Sequence, residues 1–306
     1  MFSNNQIFAA PLAGITDRPF RRVIRMFSPT SPLVTEMISC HSLVESHKNC
    51  PRNFDRYDDE GPIGAQIFGA IPDLMADAAR ILADAGANWI DINMGCPVPK
   101  VATRANAGAY LMRDHKLAGK IMDSVVRAVD VPVSIKTRLG WDDEHMDWRE
   151  LINIAADCGV HFAALHGRTR SQGYLGKSTL PDVHDVPIPI IANGDIKSAI
   201  DAENAEKLGF SGVMIGRALL GRPWALFEIG GGVAPKNIGD VVLKHMEYMI
   251  EYYGERVAIP MFRKHAAWYS AGMPNSSDFR IRVNEVTTVA DLRNEICAFW
   301  GCELKI

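Results

Sequence analysis

Three times along this chain an amphipathic stretch runs into a glycine and then at once into a short apolar run: Ala85-Gly86-Ala87, Cys158-Gly159-Val160 and Leu208-Gly209-Phe210. A glycine after the last helical turn accepts the left-handed conformation that ends a helix. A short run that is apolar throughout suits a strand covered on both faces. Eight short runs are present, most of them apolar throughout: Ile7–Ala10, Leu33–Glu36, Ile63–Phe68, Trp89–Asn93, Pro132–Lys136, Phe162–His166, Ile188–Ala192 and Gly212–Ile215. Helical periodicity fills the gaps at Asp73–Ala85, Lys116–Val129, Trp148–Cys158 and Ser198–Leu208. Strands alternating with helices close into a (β/α)8 barrel or open into a doubly wound sheet. No Gly-x-Gly-x-x-Gly turn follows the first run, where a dinucleotide fold would place one. Polar residues end nearly every run: Glu36, Gln66, Asn93, Lys136, His166, Asn193 and Arg217. In a barrel those ends meet at one mouth. The expected fold is therefore α/β, a (β/α)8 TIM barrel.

Gly230-Gly231-Gly232-Val233-Ala234-Pro235 is the strongest breaker in the chain, and after it the strand signal fades. Ile238–Tyr253, Pro260–Ala271, Ser276–Val283 and Thr288–Phe299 carry helical patterns. The expected division is a barrel over residues 1–230 and a small all-helical domain over 236–306. Net charge is −3, with 33 basic against 36 acidic residues, so attraction of nucleic acid by bulk charge is excluded and any such surface must be local. No apolar run is long enough for a membrane span. Met1-Phe2-Ser3-Asn4-Asn5-Gln6 lacks a basic, then apolar, leader pattern. None of the six cysteines lies in a Cys-x-x-Cys pair, which argues against a disulfide scaffold or a zinc ribbon. A reducing cytoplasm, no metal, no membrane and no obligate protein partner are expected, with the chain a monomer.

Asn93-Met94-Gly95-Cys96-Pro97 follows the fourth run and would set a thiol at the barrel mouth. Most cysteines are buried and inert, but a thiol between Gly and Pro in a βα loop gains little from packing. No histidine lies within a few residues, so the pattern suits a neutral general acid better than a Cys-His nucleophile. Asn193-Gly194-Asp195 and Gly216-Arg217 end the last two runs, where barrels commonly hold a phosphate on backbone N–H groups. Lys136 and His166 sit on otherwise apolar runs, where a polar group needs a partner, and a bound anion would provide one. Gln66 offers an amide to the edge of a planar heterocycle. Arg104, Arg138, Arg168, Arg170 and Arg217 would form a cationic rim. Arg263-Lys264-His265 beside Trp268-Tyr269 suits either an RNA backbone with stacked bases or an ordinary helix with a buried aromatic face.

In order along the chain, these residues resemble the dihydrouridine synthase family, especially its bacterial B-type members. The similar segments are Ala10-Pro11-Leu12-Ala13-Gly14-Ile15-Thr16-Asp17-Arg18-Pro19-Phe20-Arg21, Thr35-Glu36-Met37, Gln66-Ile67-Phe68-Gly69 and Asp91-Ile92-Asn93-Met94-Gly95-Cys96-Pro97. They continue with Lys136-Thr137-Arg138-Leu139-Gly140-Trp141, His166-Gly167-Arg168-Thr169-Arg170, Ala192-Asn193-Gly194-Asp195-Ile196 and Gly216-Arg217-Ala218. The resemblance implies a barrel that binds FMN at its mouth, a helical tRNA-binding domain, and NADPH or NADH as a transient reductant. It implies that Pro11, Leu12 and Ala13 line the flavin ring and that Gln66 and Lys136 hydrogen-bond it. His166 would lie nearby, and Asn193, Gly194, Asp195, Gly216 and Arg217 would hold the phosphate end. Hydride would pass from reduced flavin N5 to C6 of a tRNA uridine, and Cys96 would protonate C5. The implied RNA contacts are Asn93, Lys100, Arg138, Arg168, Arg170, Arg263, Lys264 and His265. The competing expectation is an FMN barrel oxidoreductase acting on a small enone or a free pyrimidine.

Overall fold

The computed structural model describes residues 5–45, 54–57 and 60–302; Met1–Asn4 and Cys50, which entered the leader and cysteine patterns, lie outside the described residues. Eight parallel strands close on themselves. β1 (Gln6–Ala9) pairs with β2 (Leu33–Val34) on one edge and with β9 (Gly212–Ile215) on the other. Between them run β4 (Ile63–Phe68), β5 (Trp89–Asn93), β6 (Val133–Arg138), β7 (Phe162–His166) and β8 (Ile190–Asn193), each paired with the next. β2 also pairs with β4, which closes the barrel. The doubly wound alternative is thus excluded, and all eight expected runs are strands.

The second run departs from expectation. It breaks after Val34 and resumes as β3 (Ile38–Ser39) further along the same edge of β4. At the break, Thr35 Oγ1 accepts the Gln66 N–H at 3.1 Å, in place of a ladder carbonyl. The interruption leaves Met37 lining the mouth and Glu36 accepting from the Gly14 N–H.

Inside the barrel, alternate residues of each strand stack in layers, as the strand period of two requires. The lowest layer is an aromatic plug of Phe8, Trp89 and Phe162, with ring centroids 5.8 to 6.4 Å apart. Gly64 makes room for it: a Cβ there would lie 2.1 Å from the Trp89 ring. Above the plug come Asp91, Ser134 and Gln66, all buried, and above them Asn93, Lys136, His166 and Asn193 at the rim. The outward residues of the same strands pack on α3 (Pro72–Asp84), α5 (His115–Ala128), α6 (Trp148–Asp157), α7 (Ala199–Lys207) and α8 (Ala225–Ile229). Gly86, Gly159 and Gly209 adopt φ of +93°, +82° and +90°, so the repeated junction of the sequence is one backbone motif used three times.

Four helices escaped the sequence patterns, α8 among them. α1 (Arg18–Arg25) is capped by Asp17, whose carboxylate accepts the Phe20 N–H at 2.9 Å. A short α2 (Cys40–Glu45) follows β3, and α4 (Pro99–Ala102) follows the Cys96 loop. After α8 come α9 (Ile238–Tyr253), α10 (Glu255–Tyr269), α11 (Ser276–Glu285) and α12 (Val289–Trp300). α10 begins five residues before the expected Pro260, because Gly254 at φ +75° makes the turn out of α9. These four helices share an apolar cluster that includes Met246, Phe262, Phe279 and Leu292, and Val23 of α1 and Trp224 belong to the same cluster.

Candidate active site

The strand ends of the barrel enclose a cavity of about 830 Å³, within the ordinary range for a cofactor site. Pro11, Leu12 and Ala13 form one wall from the loop after β1, and Gln66, Asn93 and Cys96 line it from β4 and β5. Lys136, Arg138 and His166 enter from β6 and β7. Asn193, Gly194, Asp195, Gly216 and Arg217 complete it from β8 and β9. Every residue expected at a flavin therefore faces one space.

Lys136 is held by one amide. Its Nζ donates to Asn193 Oδ1 at 2.8 Å, and Asn193 Nδ2 donates to the Met214 carbonyl at 2.8 Å, which fixes the amide with its oxygen toward the lysine. Burial lowers the ammonium pKa to about 8, helped by Arg138 and opposed by Asp91 and Cys96. The group remains largely charged at neutral pH. His166 is almost wholly buried, and burial first, then Lys136, Arg138, Arg168 and Arg217, pushes its pKa far below the ordinary value. It is a neutral imidazole whose Nδ1 is buried with no partner among the described residues. Buried nitrogens are nearly always paired, so an acceptor or donor on a bound molecule fits there.

Cys96 is partly buried, and burial raises its thiol pKa, opposed by the Val98 N–H, Arg138 and Lys136. It stands protonated at neutral pH, with two cations near enough to favour the thiolate once the proton leaves. Its loop is tied from beneath. Asn93 Oδ1 accepts the N–H groups of Gly95 and Cys96 at 3.2 and 3.0 Å, and Asn93 Nδ2 donates to Gln66 Oε1 at 2.8 Å. Asn93 faces the cavity with its amide already engaged on both ends.

The expected cationic rim takes a different form. Arg138 is buried, and its guanidinium donates to the carbonyls of Gly95 at 2.6 Å, Thr169 at 3.0 Å and Gly173 at 2.9 Å. Arg168 is also buried and donates to the Leu175 and Gly176 carbonyls and to Asp195. Both are struts between loops rather than exposed charges, because strand-end guanidiniums satisfy loop carbonyls that have no other donor. Asp195 carries 2.6 Å ion pairs to Arg168 and Arg217 and accepts the Ser178 N–H, so its carboxylate is occupied by cations. Burial opposes its charge, but these three partners together hold its pKa below the ordinary value.

Outside the cavity, Lys100 is exposed on α4, and the Arg170 guanidinium lies over the Trp141 ring at 4.4 Å. Arg263 donates to the Val286 carbonyl, and Lys264 reaches back to the Gly14 carbonyl in the loop after β1. His265 corrects an expectation: it is buried among Phe20, His245, Phe262 and Trp268, and so presents nothing to a nucleic acid. The spacing of α10 turns it into the apolar seam, three residues from Phe262. Sequence reasoning passed over Asp91 as a site residue; its signal was a carboxylate inside the apolar run Trp89-Ile90-Asp91-Ile92. Tyr174 and Met37, which unlike Asp91 line the cavity itself, carried no signal of spacing.

A closed parallel barrel whose strand ends bring a protonated thiol, a buried ammonium and a neutral imidazole into one pocket defines a (β/α)8-barrel enzyme. Comparison with known proteins narrows this. The chain matches the family described as Dihydrouridine synthase (Dus) over residues 8–300. It is 40% identical over 297 residues to tRNA-dihydrouridine synthase B of Xanthomonas campestris pv. campestris, covering 92% of this chain and 89% of that one. It is 38% identical over 297 residues to tRNA-dihydrouridine synthase B of Pseudomonas aeruginosa, with the same coverage of 92% and 89%. A probable tRNA-dihydrouridine synthase of Rickettsia typhi is 37% identical over 312 residues, 97% of this chain and 95% of its own. The chain belongs to the dihydrouridine synthase family.

Proposed function

We propose that this chain reduces the C5=C6 bond of uridines in tRNA to 5,6-dihydrouridine, with FMN as its cofactor and NADPH or NADH as reductant. The observation that carries the reading is Cys96, a protonated thiol on a tethered loop, facing the same cavity as Lys136 and His166. The fit to a flavin rests on the unpartnered Nδ1 of His166, the single-amide tether of Lys136 and the size of the cavity. Pro11, Leu12 and Ala13 would line the ring, Gln66, Lys136 and His166 would meet its polar edge, and Asn193, Gly194, Asp195, Gly216 and Arg217 would hold its phosphate end. When bound and reduced, the flavin supplies hydride for C6 of the uracil ring.

The protein's own part is the proton. Cys96 gives its thiol proton to C5, and Lys136 and Arg138 favour the thiolate left behind. Solvent then restores the thiol. The target base must leave its stack to reach a thiol at the barrel mouth. Residues 1–230 would carry the chemistry, and 236–306 would dock the tRNA with help from Lys100, Arg170, Arg263 and Lys264. The protein would act as a cytoplasmic monomer.

The test is a dihydrouridine map of tRNA from cells with and without the gene, complemented by the parent or by Cys96→Ala. Loss of dihydrouridine at particular positions, restored only by the parent, is the expected result. Unchanged tRNA, with purified protein still yellow and turning over small enones, would replace this reading with a small-molecule reductase on the same barrel.

A further inference from the structure

Beneath the mouth, Asp91 sits in the middle of the barrel with 2% of its surface exposed. Its two oxygens are divided between the flanking strands. Oδ2 accepts from Gln66 Nε2 of β4 at 2.6 Å, and Oδ1 accepts from Ser134 Oγ of β6 at 2.6 Å. An ionised carboxylate is an acceptor on both sides, whereas an amide has one end of each kind. Gln66 must therefore turn its nitrogen down to Asp91 and its oxygen up. That oxygen accepts Asn93 Nδ2 at 2.8 Å, which forces the Asn93 oxygen toward the N–H groups of Gly95 and Cys96. Reversing Asn93 would set donor against donor at the Cys96 loop, and reversing Gln66 alone would set its nitrogen against Asn93 Nδ2 and its oxygen against the Asp91 carboxylate.

We propose that Asp91 is a positioning residue: its carboxylate fixes the direction of the relay through Gln66 and Asn93, and so holds the Cys96 loop in place. The inference rests on the reading of Cys96 as the proton donor, but concerns what orders the loop. Asp91 touches neither cavity nor loop; it acts through two amides. Burial raises its pKa to about 6, opposed by Ser134, Gln66 and the Lys136 ammonium, the charged group that faces it. At neutral pH it is therefore the acceptor that the relay needs. A buried carboxylate is costly to keep, which makes a purely space-filling role a poor account of it.

The experiment measures alkylation of Cys96 by iodoacetamide on the full chain as purified, followed by mass spectrometry of the Cys96 peptide from pH 7 to 10. Cys158, half-buried on the outside of the barrel at the end of α6, serves as the internal reference. Asp91→Ala is expected to speed Cys96 alkylation by about tenfold and to move its pH profile down toward an ordinary thiol, because a loosened loop hydrates the sulfur. Cys158 should not change. The double variant Asp91→Asn with Gln66→Glu moves the charge to position 66 but keeps every donor facing an acceptor. It is expected to return Cys96 to within about twofold of the parent rate. Should Asp91→Ala prove too unstable to isolate, Asp91→Asn alone makes the same test, since its amide can accept fully from only one neighbour.

A Cys96 rate unchanged in the single variants would overturn the proposal. So would an equal rise at Cys158, which would mark general loosening, or a double variant as reactive as Asp91→Ala. None of these readings requires tRNA. If the parent forms no dihydrouridine, the proposed function fails, while the alkylation pattern still decides the role of Asp91.

Discussion

At Cys96 the important quantity is a proton that stays on. Burial favours the neutral thiol, and the neighbouring cations, which ease loss of the proton, offset burial only in part. Cys96→Ala is expected to lower the rate of tRNA reduction by about 10²- to 10⁴-fold, the usual worth of a positioned general acid. On the proposed function, reduction of the bound flavin by NADPH or NADH should continue at the parent rate. Rapid-mixing absorbance of the two half-reactions separates them, and equal slowing of both would place Cys96 in the scaffold instead. Residues of this kind were legible in the sequence because a loop thiol between Gly95 and Pro97 has no packing reason to be there. Arg138 and Arg168 were not legible as struts. Their partners are carbonyls of other loops, such as Gly95, 43 positions away, and nothing in the local pattern distinguishes a guanidinium facing water from one facing a carbonyl.

The strands were found because each is a short, largely apolar run buried on both faces, a property that does not depend on knowing its neighbours. The break in the second strand was hidden, since it depends on a threonine hydroxyl standing in for a carbonyl opposite Gln66. The start of α10 was misplaced for a related reason: Pro260 favours a first turn, but Gly254 in a left-handed conformation decides the matter. At this scale Gly64 of β4 is a poorly replaceable residue. The Trp89 indole fills the place of its missing side chain, so Gly64→Ala should destabilise the protein by about 1–3 kcal/mol or more, as overpacking of a core does. Urea unfolding of the variant checks this. A midpoint equal to the parent's would show that the aromatic plug can shift at no cost.

Across the whole molecule, the helices and the barrel meet around two neutral histidines. His245 and His265 lie with ring centroids 4.5 Å apart, next to Phe20 of the barrel, and His245 Nδ1 is 3.1 Å from Tyr269 Oη. Burial lowers the His245 pKa to about 3, and lowers that of His265 well below its ordinary value, with His245 and Lys264 adding to the effect. Between pH 6.5 and about 3 the unfolded chain binds protons that the folded chain refuses. Stability from this source is complete above pH 6.5 and is lost as the pH falls, by up to about 1.4 kcal/mol per pH unit for each imidazole. Asp17, Glu36 and Asp91, whose pKa values are raised by burial, act in the opposite sense. The difference between the parent and His245→Phe therefore isolates the effect: thermal midpoints at pH 5 and pH 8 should lie closer together in the variant. An equal spread in both would mean that the His245 ring titrates as freely in the fold as in the open chain.

The plug of Phe8, Trp89 and Phe162 fills the barrel interior below the pocket, whose lining comes from the strand ends and the loops after them. On the proposed function, nicotinamide and nucleobase would both approach from the strand-end side, and one would depart before the other enters. Initial rates measured against nicotinamide at several tRNA concentrations should accordingly give parallel reciprocal lines, while lines that cross would require both guests inside at once. Three aromatic rings below the pocket would thus bear on the order of turnover.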